Sequence, residues 1–162
     1  MENQIMLKKL TKLLIEQKLV ISTAESCTGG LVSSMLTDVS GSSAFVKMNF
    51  VTYSNEAKQE ILGVKAETLE NFGAVSEECA SEMAEGLMQK TGCDIALCTT
   101  GIAGPTGGTE EKPVGLCYIA CRFKGQTIVK KIIENPHLER CLMKQKFAER
   151  AINLAYETLS NK

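Results

Sequence analysis

The chain has 162 residues, 44% of them hydrophobic and 23% charged, and its 18 basic and 19 acidic side chains leave a formal net charge of −1. That length suffices for one domain with its own hydrophobic core, and the balanced charge, without a basic stripe or any Trp, argues against nucleic acid as a partner. No run approaches membrane-spanning length and the N-terminus lacks the apolar core of an export signal, so a cytoplasmic protein without a membrane partner is expected.

In chain order, Met6, Leu7, Leu10, Leu13 and Leu14 have the spacing of an amphipathic helix over 3–17. A strand is predicted at 19–23, a helix at 29–37, a polar loop at 38–43 and a strand at 44–53. Helices follow at 55–62, 65–71 and 76–91, the last opened by Ser76 as cap with Glu77 and Glu78 favourable near its dipole, and stopped by Gly92. A buried strand at 94–100 precedes strands at 114–123 and 127–133, which Lys124-Gly125-Gln126 joins as a hairpin. A helix over 138–159 completes the chain. The alternation predicts an α/β fold with a mixed, mostly parallel sheet and helices on both faces. The seven cysteines are odd in number, scattered, and include no Cys-x-x-Cys pair, so they read as small buried hydrophobes of a reducing compartment, with Cys117 and Cys121 on one sheet face.

Two glycine-rich loops follow core strands. Ala24-Glu25-Ser26-Cys27-Thr28-Gly29-Gly30 reads as a strand-to-helix turn, where unpartnered N–H groups and the helix dipole attract a phosphate or carboxylate and Gly29 and Gly30 allow its close approach. Ser26 and Thr28 could bind such a ligand or, beside a base, attack it; a capped helix after a tight turn is the plainer alternative. The second loop, Gly101 to Thr109, leaves the strand at 94–100, and ligands of open α/β sheets bind at that strand-end edge, so the two loops suggest one shared pocket. Neither matches the fingerprint of a nucleoside-triphosphate loop or of dinucleotide binding, which excludes an ordinary ATPase or dehydrogenase.

A serine nucleophile needs a base. His137 is the one histidine, and its place after Asn135-Pro136 at the entrance to the last helix also suits a capping or solvent role. Lys58 is the better base if burial lowers its pKa, with Tyr53 placed to relay a proton or orient it; a solvated helix lysine is the plainer alternative. Cys27, at a helix N-terminus, is a rival nucleophile.

Residues 24–30, Gly-Ser-Ser-Ala-Phe at 41–45, Phe-Val-Thr-Tyr-Ser-Asn-Glu-Ala-Lys at 50–58, Gly-Ala-Val-Ser-Glu at 73–77, Gly-Ile-Ala-Gly-Pro at 101–105 and Glu-Lys-Pro-Val-Gly at 111–115 resemble the CinA C-terminal domain family. The resemblance is ordered and runs from about residue 5 to 123. It implies a three-layer α/β/α sandwich and nicotinamide-nucleotide amidohydrolysis, in which nicotinamide mononucleotide and water give nicotinate mononucleotide and ammonia without metal or cofactor. Carried over, Ser26 would attack the amide, Lys58 would take its proton and Tyr53 would support the transfer. Glu25, Thr28, Gly29 and Gly30 in the first loop, Thr100, Gly101, Ala103 and Gly104 in the second, and Arg140 and Lys144 in the last helix would hold the substrate.

Relatives usually carry Gly-Asp-Arg and a further Arg where this chain has Leu138-Glu139-Arg140 and Lys144, and an Arg-Gly near Met48-Asn49. In many relatives a larger domain resembling molybdopterin-biosynthesis proteins comes first; these 162 residues hold no counterpart, so its metal-dependent pyrophosphatase activity is not expected. The expected partners are a small nucleotide and a second copy of the chain in a homo-oligomer. A catalytically weak nucleotide-binding or competence-linked interaction module, and a cysteine hydrolase using Cys27, stay open as alternatives.

Overall fold

The computed structural model describes residues 2–161. Its elements are α1 (Glu2–Glu16), β1 (Ile21–Glu25), α2 (Leu31–Thr37), β2 (Phe50–Val51), α3 (Asn55–Leu62), α4 (Ala66–Phe72), α5 (Glu77–Thr91), β3 (Ile95–Gly101), β4 (Leu116–Phe123), β5 (Gln126–Ile133) and α6 (Arg140–Ser160). The strands form one sheet in the order β2-β1-β3-β4-β5. Pairing is parallel from β2 through β3 and antiparallel at β4 and β5, so four strands share a direction and β4 alone opposes them. Adjacent β3 and β4 pair antiparallel across the second glycine loop, and the hairpin then returns β5 to the common direction. Among the described residues no helix is long and apolar enough to cross a membrane.

Strand alternation divides the core in two. Ile21, Ile95, Leu97 and Ile119 face α1, α2 and α6, where Leu10, Leu14, Leu36 and Phe147 are fully buried. On the other face the sheet presents Ala24, Ala96, Cys98 and Ala120 to α3, α4 and α5. Small side chains let that layer sit close, and closeness extends to the helices: a Cβ at Gly86 in α5 would stand 1.7 Å from the Leu62 carbonyl oxygen at the end of α3. Backbone cannot swing aside as a side chain can. Gly86→Ala is therefore expected to cost about 3 kcal/mol, the upper end of overpacking penalties, and to lower Tm by roughly 6 to 12 °C in a thermal melt.

The predicted strand at 44–53 is the main difference from the sequence reading. A short 3-10 turn occupies Ser42–Ala44, one bridge joins Ile21 to Val46, and only Phe50 and Val51 pair with β1. The cause is Asn49. The Thr23 N–H donates to its Oδ1 at 3.0 Å, and its Nδ2 donates to Ser33 Oγ at 2.7 Å, so a side-chain amide takes the place of a ladder carbonyl and ties this segment to α2. Elsewhere the predicted elements differ by up to two residues at their ends, as fraying and capping allow.

Candidate functional site

Parallel strands β1, β2 and β3 end at the same edge, and the chain turns there into α2. Both ladders run one residue past β1: the Ser26 N–H donates to the Thr99 carbonyl at 3.0 Å, and the Thr52 N–H donates to the Glu25 carbonyl at 2.9 Å. Strand alternation therefore persists through the turn. Ser26 falls on the α3 side of the sheet, whereas Glu25 and Cys27 fall on the α2 and α6 side. Three adjacent functional groups thus go to three different environments.

On the α3 side, Ser26 meets Lys58. Ser54 caps α3 by accepting from the Ala57 N–H at 3.0 Å, which places Lys58 on the first turn, pointing inward. Lys58 is only 1% exposed, and its Nζ lies 3.2 Å from Ser26 Oγ, 3.1 Å from the Thr52 carbonyl oxygen and 3.1 Å from that of Tyr53. No carboxylate within ion-pair distance of it is found among the described residues. Burial pushes the Lys58 pKa down, opposed by the nearby Cys79 and Cys27 thiols. That opposition needs thiolate charge, and burial holds Cys79 at about 11, so its thiol is neutral at pH 7. A neutral amine has two N–H donors and one lone pair. In this structure Nζ donates to Ser26 Oγ and to both carbonyls; once the amine gives up a proton, its bonds to Thr52 and Tyr53 leave the lone pair facing the Ser26 hydroxyl.

Tyr53 takes part differently from expectation. Its carbonyl, not its ring, orients Lys58; the phenol is exposed and its oxygen accepts from Arg140 Nη2 at 3.1 Å. Arg140 also donates from Nη1 to the Gly104 carbonyl at 2.6 Å, so from the start of α6 it links the second glycine loop to the segment between β2 and α3. Two of its five donors are used there, and the others remain available to an anion.

Glu25, expected at the substrate, is instead an internal support, and the Thr28 hydroxyl is engaged with it although Thr28 also lines the cleft beside Gly29 and Gly30. The Glu25 carboxylate is 1% exposed and accepts from the Val32 N–H at 2.8 Å, the Ser33 N–H at 3.0 Å and Thr28 Oγ1 at 2.6 Å. Thr28 Oγ1 also lies 2.8 Å from Thr99 Oγ1. The N-terminus of α2 thus already holds an anion, the protein's own carboxylate, which takes the role that the sequence assigned to a ligand phosphate. Thr100, also expected at the substrate, donates to the Ala74 carbonyl at 2.8 Å, and Gly101 is needed for packing, because a Cβ there would lie 2.7 Å from the Leu116 carbonyl oxygen. Ala103 lies in the core beside α6.

Gly29 and Gly30 do border open space. Both have positive φ, at 61° and 102°, and Lys144 Nζ stands 3.3 Å from where a Gly29 Cβ would be. With Arg140 and Lys144 they rim a cleft of about 940 Å³ floored by Leu7, Leu31 and Met35. Ser26 and Lys58 are not among the residues that line it; the turn of residues 27–30 joins Ser26 to the cleft.

Cys27 is 5% exposed, and its Sγ lies 3.7 Å from Cys117 Sγ in the core on the α2 and α6 side. All seven cysteines are free, and six are buried. His137 is exposed, its N–H bonded to Asn135 Oδ1, as a turn residue would be. The sequence reading missed Thr52, whose carbonyl helps set the Lys58 amine; a backbone acceptor has no residue-type signature that could have revealed it.

The profile of the CinA C-terminal domain matches residues 3–159. A CinA-like protein of Chloroherpeton thalassium is 52% identical over 153 residues, covering 92% of this chain and 36% of that protein. Another from Kosmotoga olearia is 57% identical over 123 residues, covering 76% of this chain and 30% of that one. The chain thus spans about a third of the length of these curated relatives. The crystal structure of competence/damage inducible protein CihA from Agrobacterium tumefaciens superposes with a TM-score of 0.94 at 37% identity, covering 99% of this chain and 96% of that one. A CinA superfamily protein from Klebsiella pneumoniae superposes at 0.93 with 32% identity and 99% coverage of both chains. The sandwich, its strand-end site and these likenesses agree, and the chain belongs to the CinA C-terminal domain family.

Proposed function

We propose that this protein is an amidohydrolase that converts nicotinamide mononucleotide and water to nicotinate mononucleotide and ammonia through a Ser26/Lys58 pair. One observation carries the reading: the buried, carbonyl-anchored amine of Lys58 lies 3.2 Å from Ser26 Oγ. A structural lysine gains nothing from such a place, whereas a general base needs it. Ser26 Oγ attacks the carboxamide carbon as Lys58 takes its proton; Lys58 then returns the proton to the leaving nitrogen, and ammonia departs from an ester on Ser26. Water, deprotonated by the same amine, cleaves that ester and frees the acid.

The oxyanion of each tetrahedral intermediate needs preorganised donors. The Ser26 N–H is engaged by Thr99, but those of Cys27 and Thr28 have no protein acceptor among the described residues and follow the nucleophile directly. They are the donors assigned here. Lys144 and Arg140, with the Gly29 and Gly30 backbone, are the donors that would take the 5′-phosphate in a cleft that Asp38 and Glu149 also line.

The test is metal-free ammonia release from nicotinamide mononucleotide, beside nicotinamide and nicotinamide riboside. Release from the mononucleotide is expected to fall at least about 10²-fold in Ser26→Ala and to persist in Cys27→Ala. The reverse pattern would make Cys27 the nucleophile. Mononucleotide binding without release in the wild type would replace the amidase reading with a binding module.

A further inference from the structure

We propose that Cys27 and Cys117 form a reversible disulfide under peroxide, and that this bond switches off the Ser26 site. The inference rests on the reading of Ser26 as nucleophile. Among the described residues these are the two cysteines whose sulfurs touch, at 3.7 Å. They come from opposite sides of the site. Cys27 directly follows Ser26 in the turn, and Cys117 lies on β4 opposite Gly101, from which the second glycine loop departs.

The two thiols differ in access. Cys27 retains 5% exposure at the strand-end edge, and Cys117 has none, with burial pushing its thiol pKa up. Both cysteines are buried, and Cys27 is the one with residual exposure, so peroxide, a molecule close to water in size, meets it first. The Cys27 sulfur attacks one peroxide oxygen, breaking the O–O bond, and becomes a sulfenic acid with loss of water. Cys117 sulfur then displaces the sulfenic hydroxyl, which leaves with the Cys117 proton as a second water. Each sulfur gives up one electron, and peroxide takes two. An added dithiol reverses the step by exchange.

The bond bears on Ser26 because the two partners are held unequally. Cys117 is fixed in β4, paired on both sides. Cys27 is in a short turn tied by the Ser26 N–H to Thr99 and by the Gly29 N–H to the Ser26 carbonyl. Bonded sulfurs stand at about 2 Å, so contact must shorten by well over an ångström, and the turn is what moves. Ser26 moves with it relative to Lys58, and misplacement by about 1 Å costs a reaction roughly 10²-fold.

The experiment uses hydrogen peroxide on the wild type, alkylation under denaturing conditions, and mass spectrometry, with ammonia release and hydrogen exchange at residues 26–30 measured in parallel. The expected result is a product that takes five alkyl groups in place of seven, with the peptides of Cys27 and Cys117 linked, a fall in ammonia release of at least about 10-fold, and recovery with dithiothreitol. Cys117→Ala and Cys117→Val are each expected to retain turnover after peroxide. No link between these two peptides overturns the proposal, as does a link that leaves turnover unchanged. If nicotinamide mononucleotide proves not to be a substrate, the link and the change in exchange at 26–30 still decide this inference by themselves, and unchanged exchange overturns it.

Discussion

Lys58→Met is expected to lower kcat for ammonia release by at least about 10²-fold, the scale of a lost acid/base group, while nicotinamide mononucleotide still binds. Methionine keeps the length and apolar stem of lysine but removes the amine that bonds Ser26. An unchanged kcat would sink the Ser26/Lys58 assignment. The same variant carries a signature in pH. Burial lowers the Lys58 pKa in the folded protein, whereas an unfolded lysine titrates at about 10.4. Between those two values the unfolded chain binds more protons, so this group makes stability rise with pH across that window. Below the window the fold bears the full cost of an amine held away from water. Wild type should therefore gain Tm relative to Lys58→Met as pH is raised from neutral toward 10, and its turnover should rise with pH as Lys58 loses its proton. A Tm difference independent of pH would mean that the amine is not held in its neutral form by the fold.

Much of this site was legible because strand ends and glycines announce themselves. The runs before Ser26 and Gly101 marked buried strands, and the helix that carries Lys58 was expected over 55–62, where it lies. Facing was harder. Glu25, Ser26 and Cys27 are adjacent, and their separation into a helix cap, a nucleophile and a core thiol depends on strand geometry continuing past β1 through two ladder bonds. Nothing in local sequence specifies those bonds. The interruption at Asn49 was hidden for a similar reason, since an asparagine that substitutes for a ladder carbonyl looks like any polar residue in a strand. The depth of Lys58 was also hidden, because a lysine on a first turn is as often solvated; burial follows from how α3 packs on the small-residue face of the sheet.

Glu25 gives the second large effect and separates two roles for a carboxylate beside a nucleophile. Glu25→Ala is expected to destabilise by about 3 to 5 kcal/mol, the cost of breaking a buried charged network, and to lower Tm by roughly 6 to 20 °C. Three donors converge on this side chain, two of them from the first turn of α2, and alanine leaves all three without their acceptor inside the protein. Glu25→Gln keeps the shape and one amide oxygen, but it presents an NH₂ to at least one of those donors, so an intermediate loss is expected. Activity should decline with stability, since the turn that carries Ser26 and the Cys27 and Thr28 N–H groups is anchored by Glu25 through Thr28. A substrate-binding Glu25 would behave otherwise: KM for nicotinamide mononucleotide would rise while Tm held. Thermal melts of the two variants beside their KM values distinguish these outcomes, and an unshifted Tm in Glu25→Ala would return Glu25 to the substrate. The predicted loss of Tm follows from alternation alone, because a carboxylate one residue before Ser26 points to the opposite face of the sheet, into α2, and has no path to the carboxamide.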